Sequence, residues 1–131
     1  MSVIEHETWP LFQMRRADGQ VLAEAECAEH PGEQGREWFV QLRGDLDAMT
    51  VPRLRDALAA LTDDGRVVRI DMSQVDFMDS SGAGLIVEAH RLVDAHGAHI
   101  ELLDPNPCVR RVLEILGLDA VVAIHDTAGP G

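Results

Sequence analysis

The chain has 131 residues, of which 46% are hydrophobic and 26% charged, a balance typical of one globular domain rather than of a disordered segment. A formal net charge of −12 argues against binding nucleic acid or an anionic membrane through bulk electrostatics. No apolar run approaches the length of a membrane span, and the first residues do not resemble a signal peptide. With only two cysteines, Cys27 and Cys108, we expect a cytoplasmic protein without a disulfide framework.

Residues 1–19 are predicted to be an N-terminal extension, and their pattern is the weakest in the chain. Trp9, Leu11, Phe12 and Met14 are apolar enough to cover the edge of a domain. We expect them to pack on their own subunit, although a loose tail or contact with a second copy would also fit the pattern. Residues 20–126 are assigned to the main domain and residues 127–131 to a C-terminal tail.

Two strands joined as a hairpin are predicted next. Small apolar residues alternate with Leu22, Glu24 and Glu26 over residues 21–27, which is the period of a half-exposed strand. A loop is predicted at residues 31–35 and a second strand at residues 37–42. The short connection favours a hairpin.

After residue 44 the predicted elements alternate between helix and strand. Thr50 is suited to cap a helix and Pro52 fits its first turn. Helices are then recognised by apolar residues at helical spacing, and strands by short apolar runs. In chain order these are a helix with Leu54, Ala57, Leu58 and Leu61 on one face; a strand at 67–70; a helix with Leu85, Ile86, Ala89, Leu92 and Val93; a strand at 99–103; a helix with Val109, Val112, Leu113 and Leu116; and a final strand or helix at 121–124.

This order predicts an α/β fold with one mixed, mostly parallel sheet and packed helices. The first hairpin would contribute an N-terminal antiparallel strand, and right-handed crossovers would connect the rest. Binding sites in open parallel sheets gather beyond the carboxyl ends of the strands. The turns at residues 44–47 and 79–84 both follow strands, and we expect them to lie on the same rim of the sheet.

The turn at residues 79–84 is the most informative segment. Two hydroxyls stand between an aspartate and a glycine, where a strand gives way to a helix, in the order Asp79-Ser80-Ser81-Gly82-Ala83-Gly84. Such a helix start directs backbone N–H groups toward an anion, so a serine there is well placed to carry a phosphate. The two glycines would let another molecule approach closely. The alternative is that Ser80 or Ser81 only caps the helix.

Four blocks of sequence, in order and suitably spaced, resemble the STAS domain, and most closely the bacterial anti-sigma factor antagonists. The resemblance extends from Trp38 to about Asp126. The blocks are Leu42-Arg43-Gly44-Asp45-Leu46-Asp47, the run from Ile70 to Leu85 that contains the serine pair, Gly97-Ala98-His99-Ile100-Glu101-Leu102, and the run from Pro107 to Leu118.

The resemblance implies a partner switch. The second serine of the motif, which is Ser81 here, would be phosphorylated by a cognate anti-sigma factor that is itself a serine kinase. The unmodified protein would bind that kinase and so free a sigma factor, and a PP2C-type phosphatase would reset the switch. The resemblance also implies that the partner is met through Asp47, Asp79, Ser80, Ser81, Gly82 and Gly84, and that the protein is not an enzyme and has no cofactor.

Two other classes of function remain open at this stage. One is a STAS module that is never phosphorylated and serves as a docking or ligand-sensing subunit of a transporter or signalling assembly. The other is a small enzyme acting on a phosphorylated substrate, which the absence of a phosphate-gripping lysine disfavours. A metal site formed by His90, Asp94, His96 and His99 is not expected, because the spacing crosses a helix end and no cysteine joins them.

Overall fold

A computed structural model describes residues 8–33 and 35–127 of the chain. Within these ranges three strands come first, helices and strands then alternate, and a short 3-10 helix, Leu118–Ala120, precedes the last strand. In chain order the elements are β1 (Trp9–Arg15), β2 (Val21–Gly32), β3 (Gly35–Leu46), α1 (Val51–Ala59), β4 (Val68–Met78), α2 (Ser80–Ala95), β5 (Ile100–Leu103), α3 (Pro107–Ile115) and β6 (Ala123–His125).

The strands form one sheet in the order β1-β2-β3-β4-β5-β6. The pairs β1–β2 and β2–β3 are antiparallel, whereas β3–β4, β4–β5 and β5–β6 are parallel. The predicted mixed sheet, with antiparallel pairing at its N-terminal side and parallel pairing beyond, is therefore confirmed. The segment at residues 121–124, predicted as a strand or a helix, contributes to strand β6 at the edge of the sheet.

Strand β1 shows where the N-terminal extension packs. It pairs with β2 along its length, and Leu11 and Phe12 lie against the hydrophobic core. The Arg53 guanidinium of α1 lies 5.8 Å from the centre of the Phe12 ring. The expectation that this segment packs on its own subunit is confirmed for Leu11 and Phe12, whereas Trp9 is 41% exposed. Residues 1–7 lie outside the described ranges.

Strand β4 is much longer than the predicted strand at residues 67–70. Pairing with β3 shows why the pattern was misleading: Gln41 and Arg43 are two residues apart on β3, but their partners Asp71 and Gln74 are three apart on β4. A second extra residue lies on β4 between the partners of Gly44 and Asp45. Each bulge shifts the inward–outward alternation by one residue, so a strict period of two is lost.

Strands β2 and β3 also extend beyond the predicted boundaries. Residues 31–35 were expected to be a loop, but β2 includes Gly32 and β3 begins at Gly35. At the other end β3 continues past Gly44, which was expected to end it. Gly44 has φ +95°, and a Cβ on it would lie 2.2 Å from the carbonyl oxygen of Leu22. Glycine here allows close approach of β2 within a continuous strand.

One hydrophobic core lies between the sheet and the three helices. Leu42, Ile70 and Leu102 of the sheet contact the same core as Leu54, Ile86 and Leu113 of the helices. The opposite face of the sheet is polar, with contacts such as Arg43–Glu24 and Gln41–Asp71. Leu92 and Leu116, predicted to be on buried faces, are 42% and 47% exposed, and Leu116 lies just after α3. No helix in the described ranges is long and apolar enough to cross a membrane.

Candidate functional site

The carboxyl ends of β3 and β4 lie side by side and form a rim at one edge of the sheet. Leu46 and Met78 are paired in the parallel ladder, and the Asp79 N–H donates to the Leu46 carbonyl at 3.2 Å. The residues that follow, Asp47 and Asp79, therefore begin two neighbouring turns. The predicted common rim for these two turns is confirmed.

Asp79 caps helix α2. Its backbone is extended, and its Oδ1 accepts from the N–H groups of Ser81 at 2.8 Å and Gly82 at 3.4 Å. The alternative that Ser80 or Ser81 is the capping residue is therefore wrong. Among the described residues, neither serine hydroxyl has a hydrogen-bond partner. Ser80 is exposed and Ser81 is half-buried, on the first turn of the helix.

The two glycines of the turn have different surroundings. A Cβ on Gly82 would lie 2.5 Å from Cγ of Met78, 2.7 Å from the carbonyl oxygen of Leu46 and 2.8 Å from its Cβ. Gly82 thus allows α2 to begin directly against the end of β3. Gly84 is exposed, and a Cβ there would meet no atom within 4 Å. Of the two, only Gly84 leaves free space for another molecule, as the sequence predicts for both.

Asp47 organises the turn before α1. Its Oδ1 accepts from the N–H groups of Met49 at 3.0 Å and Thr50 at 3.1 Å, while its carbonyl accepts from Val51 at 2.9 Å. Thr50 stands at the N-cap position but makes no side-chain cap; its hydroxyl donates instead to the Asp45 carbonyl at 2.7 Å. Thr50 is therefore the N-cap residue, as predicted, but its side chain does not cap α1, whereas the turn bonds to Met49 and Thr50 hold the Asp47 carboxylate at the rim.

The rim is acidic and its carboxylates repel one another. Burial, and then the carboxylates of Asp47 and Asp76, raise the pKa of Asp45 above its ordinary value. In the part of the chain that is described, no arginine or histidine forms an ion pair with Asp45, Asp47, Asp76 or Asp79. No cationic side chain of the described structure therefore compensates the negative charge of this surface.

Two apolar side chains at the same rim were not predicted as part of the site. Met49 is 66% exposed and Phe77 is 50% exposed, and each stands two residues from a predicted acidic site residue, Asp47 or Asp79. Large exposed apolar side chains beside charged ones are typical of protein docking surfaces. Their spacing from the acidic positions is the sequence signal that could have identified them.

A shallow cavity of about 310 Å³ opens beside Ser81, between the start of α1 and the start of α2. Arg55 is the one charged side chain that lines it, and sequence reasoning did not single it out. The lining residues are Ala48, Val51, Pro52, Arg55, Ser81 and Gly84.

The histidines considered for a metal site do not converge. His96 contacts the Leu92 carbonyl through Nδ1 at 2.9 Å, whereas His99 contacts Glu101 through Nε2 at 2.8 Å. Residues 8–33 and 35–127 contain no group of three or more His, Cys, Asp or Glu side chains that could hold a metal ion.

Fold and rim together define a known class of domain. The STAS domain family model matches residues 29–129, and the chain belongs to this family. It is 32% identical over 87 residues to an anti-sigma-B factor antagonist of Listeria monocytogenes, a match that covers 66% of this chain and 76% of that protein.

Two solved structures extend the comparison. The anti-sigma factor antagonist SpoIIAA in its unphosphorylated form is 30% identical with a TM-score of 0.58, over 76% of this chain and 88% of that one. The Bacillus cell fate determinant SpoIIAA in its phosphorylated form is 28% identical with a TM-score of 0.57, over 76% and 91% of the two chains.

Proposed function

We propose that this protein is an anti-sigma factor antagonist that binds an anti-sigma factor kinase through the rim and is released when Ser81 is phosphorylated. The position of Ser81 carries the proposal: in the described structure its hydroxyl has no hydrogen-bond partner, and it lies on the first turn of α2 beside an acidic and partly apolar surface. The similarity to antagonists, including one known in a phosphorylated form, supports it. The protein would act by binding and would be a substrate of the kinase rather than an enzyme.

The unmodified rim is suited to a partner with a basic and apolar surface. The unpaired carboxylates would attract the partner and orient it, and exposed Met49 and Phe77 would supply apolar contact area. Asp47, Asp79, Ser80, Ser81, Gly82 and Gly84 would lie at or under the contact. Such a partner must approach Ser81 closely, and exposed Gly84 leaves room for that approach.

Phosphorylation would make the same surface unfavourable to this partner. The bond from the γ-phosphorus of ATP to the β-phosphate oxygen breaks, a bond forms to Ser81 Oγ, ADP leaves, and the hydroxyl proton passes to a base of the kinase. The phosphate adds about −1.5 to −2 charges at neutral pH. The partner's cations would already face the rim carboxylates, so a phosphate on Ser81 would be buried against the apolar part of the contact without a cation of its own. Burying an unmatched charge costs several kcal/mol, and every ~1.4 kcal/mol is tenfold in affinity. A PP2C-type phosphatase would reverse the step.

Capture of partners from lysate of the native host, with ATP withheld, tests the proposal. The immobilised unmodified protein and the Ser81→Ala variant should both hold a protein with a kinase fold, and Ser81→Asp should lose it by at least about tenfold. Ser73→Asp is the matched control, because it adds the same charge at an exposed position of β4, eight residues before Ser81.

Equal capture by Ser81→Asp and the unmodified protein would contradict the switch. The protein would then be a STAS docking module whose binding does not depend on Ser81. Loss of capture by Ser73→Asp as well would show that net charge, rather than the position of the charge, controls binding.

A further inference from the structure

Several backbone N–H groups nearest to a phosphate on Ser81 are already occupied. The N–H groups of Ser81 and Gly82, which a helix start would ordinarily offer to an anion, already donate to the Asp79 carboxylate. At the start of α1, the Val51 N–H donates to Asp47 and Pro52 has no N–H. A phosphate would have to displace the Asp79 carboxylate, or the Asp47 backbone carbonyl, to gain any of these groups.

Arg55 is the cation that lines the cavity beside Ser81. Its guanidinium now forms an ion pair with Glu88 of α2, with Nε 2.7 Å from Oε1. Both side chains are close to half exposed, at 45% and 46%, so this ion pair holds the arginine only weakly. Arg55 also lines the small apolar cavity on the Glu88 side, and so borders both spaces.

The path from Glu88 to Ser81 along α2 is open. Ser81, Gly84 and Glu88 are spaced by three and four residues, so they lie in a row on one face of the helix. Gly84, in the middle, has no side chain, and even an added Cβ there would contact nothing within 4 Å. Within this row, no side chain stands between Ser81 and Glu88.

We propose that Arg55 is the receptor for the phosphate of phosphorylated Ser81, and that it exchanges Glu88 for the phosphate. The inference rests on the proposed phosphorylation of Ser81. A phosphate dianion carries more charge than a carboxylate and can accept two parallel N–H hydrogen bonds from a guanidinium. It should therefore compete with the Glu88 carboxylate for Arg55. The exchange would draw the phosphate toward α1 and tie the starts of α1 and α2 together in the modified state.

The test uses the full chain with phosphoserine inserted at position 81 by genetic encoding, and follows the second ionisation of the phosphate by phosphorus NMR at low salt. A nearby guanidinium stabilises the dianion, so Arg55→Gln should raise this pKa by about half a unit. Arg91→Gln is the matched control: Arg91 is exposed, lies ten residues further along α2, and should leave the pKa unchanged. Glu88→Gln should lower the pKa, because it frees Arg55 from its present partner.

Equal pKa values in Arg55→Gln and Arg91→Gln would overturn the assignment of Arg55. A shift in Arg55→Gln without any shift in Glu88→Gln would overturn the exchange. The measurement needs neither kinase nor partner. The NMR test of Arg55 can therefore fail even if capture of the partner depends on Ser81. It can also succeed if capture of the partner does not depend on Ser81.

Discussion

The two ends of the sheet differ in whether their charged side chains are paired. Beside the first residues of β3, β4 and β5, arginines are matched with carboxylates: Arg69 lies 3.0 Å from Glu37 and 3.1 Å from Glu101, and Arg66 contacts Glu29. Beyond the last residues of β3 and β4, the carboxylates have no such partners in the described structure. One end is a closed ionic network, and the other is an acidic surface with its charge uncompensated.

In this fold, the volume of a cavity is a poor guide to the proposed functional site. The network end contains the larger cleft, of about 800 Å³, yet the arginines Arg66 and Arg69 that line it are already paired with carboxylates. The cavity beside Ser81 is less than half as large. Charges that are already paired gain little electrostatic stabilisation when a binding partner is added. Like charges held close together repel one another, and a cationic partner reduces that repulsion. Unpaired charge, more than cavity size, therefore distinguishes the proposed docking surface from the network end.

The largest change in stability is expected from substitution of Gly82, and substitution of Gly84 should have the opposite effect. Gly82→Ala should lower the free energy of unfolding by about 2 kcal/mol, because the added Cβ would meet the backbone of Leu46. Gly84→Ala should raise it by about 0.5–1 kcal/mol, because alanine is the better helix former and has free space there. Urea unfolding of both variants measures the difference. Similar effects of the two substitutions would contradict the close packing of α2 on β3.

A smaller effect is expected at the network end. Glu37 is 7% exposed and its Oε1 contacts Arg69 without forming a hydrogen bond. Arg69→Met would leave this buried carboxylate without its cation, at a cost of about 1–2 kcal/mol.

Arg43→Met is the control for Arg69→Met. Its partner Glu24 also accepts from Gln13 at 2.7 Å, so the cost should stay below about 0.5 kcal/mol. Urea unfolding at neutral pH compares the two variants. Equal losses of unfolding free energy would show that the ion pairs at the network end stabilise the protein no more than the Arg43–Glu24 pair on the polar face of the sheet.

The smallest effect is a dependence on pH at the rim. Because the folded protein raises the pKa of Asp45, ionising this group opposes folding, and the penalty grows as the pH rises above its ordinary value of 3.8. Asp45→Asn should therefore stabilise the protein at neutral pH by roughly a few tenths of a kcal/mol, and the gain should vanish below pH 3.8. Melting temperatures across this range measure it. A gain that persists at low pH would assign the effect to something other than charge.

Local patterns in the sequence predicted the fold class and the rim. The alternating elements indicated a mixed sheet, and Asp47 and Asp79 were placed together because both follow parallel strands. The length of β4 could not be predicted, because two bulges that depend on pairing with β3 erase its period.

The chemistry inside the site depended on contacts that local patterns do not encode. Whether Asp79 or a serine caps α2 is decided by the backbone angles at residue 79. The contact between Arg55 and Glu88 joins residues 33 apart, on two different helices, so neither segment alone indicates it.

The most direct test of the central claim is ATP-driven release from the captured partner. The unmodified protein would be bound to the kinase-like protein it retains, Mg-ATP added, and the released chain mapped by mass spectrometry. The partner switch predicts release of the chain with a single phosphate on Ser81, and retention of Ser81→Ala under the same conditions. Release without modification, or phosphate on Ser80 in place of Ser81, would contradict it.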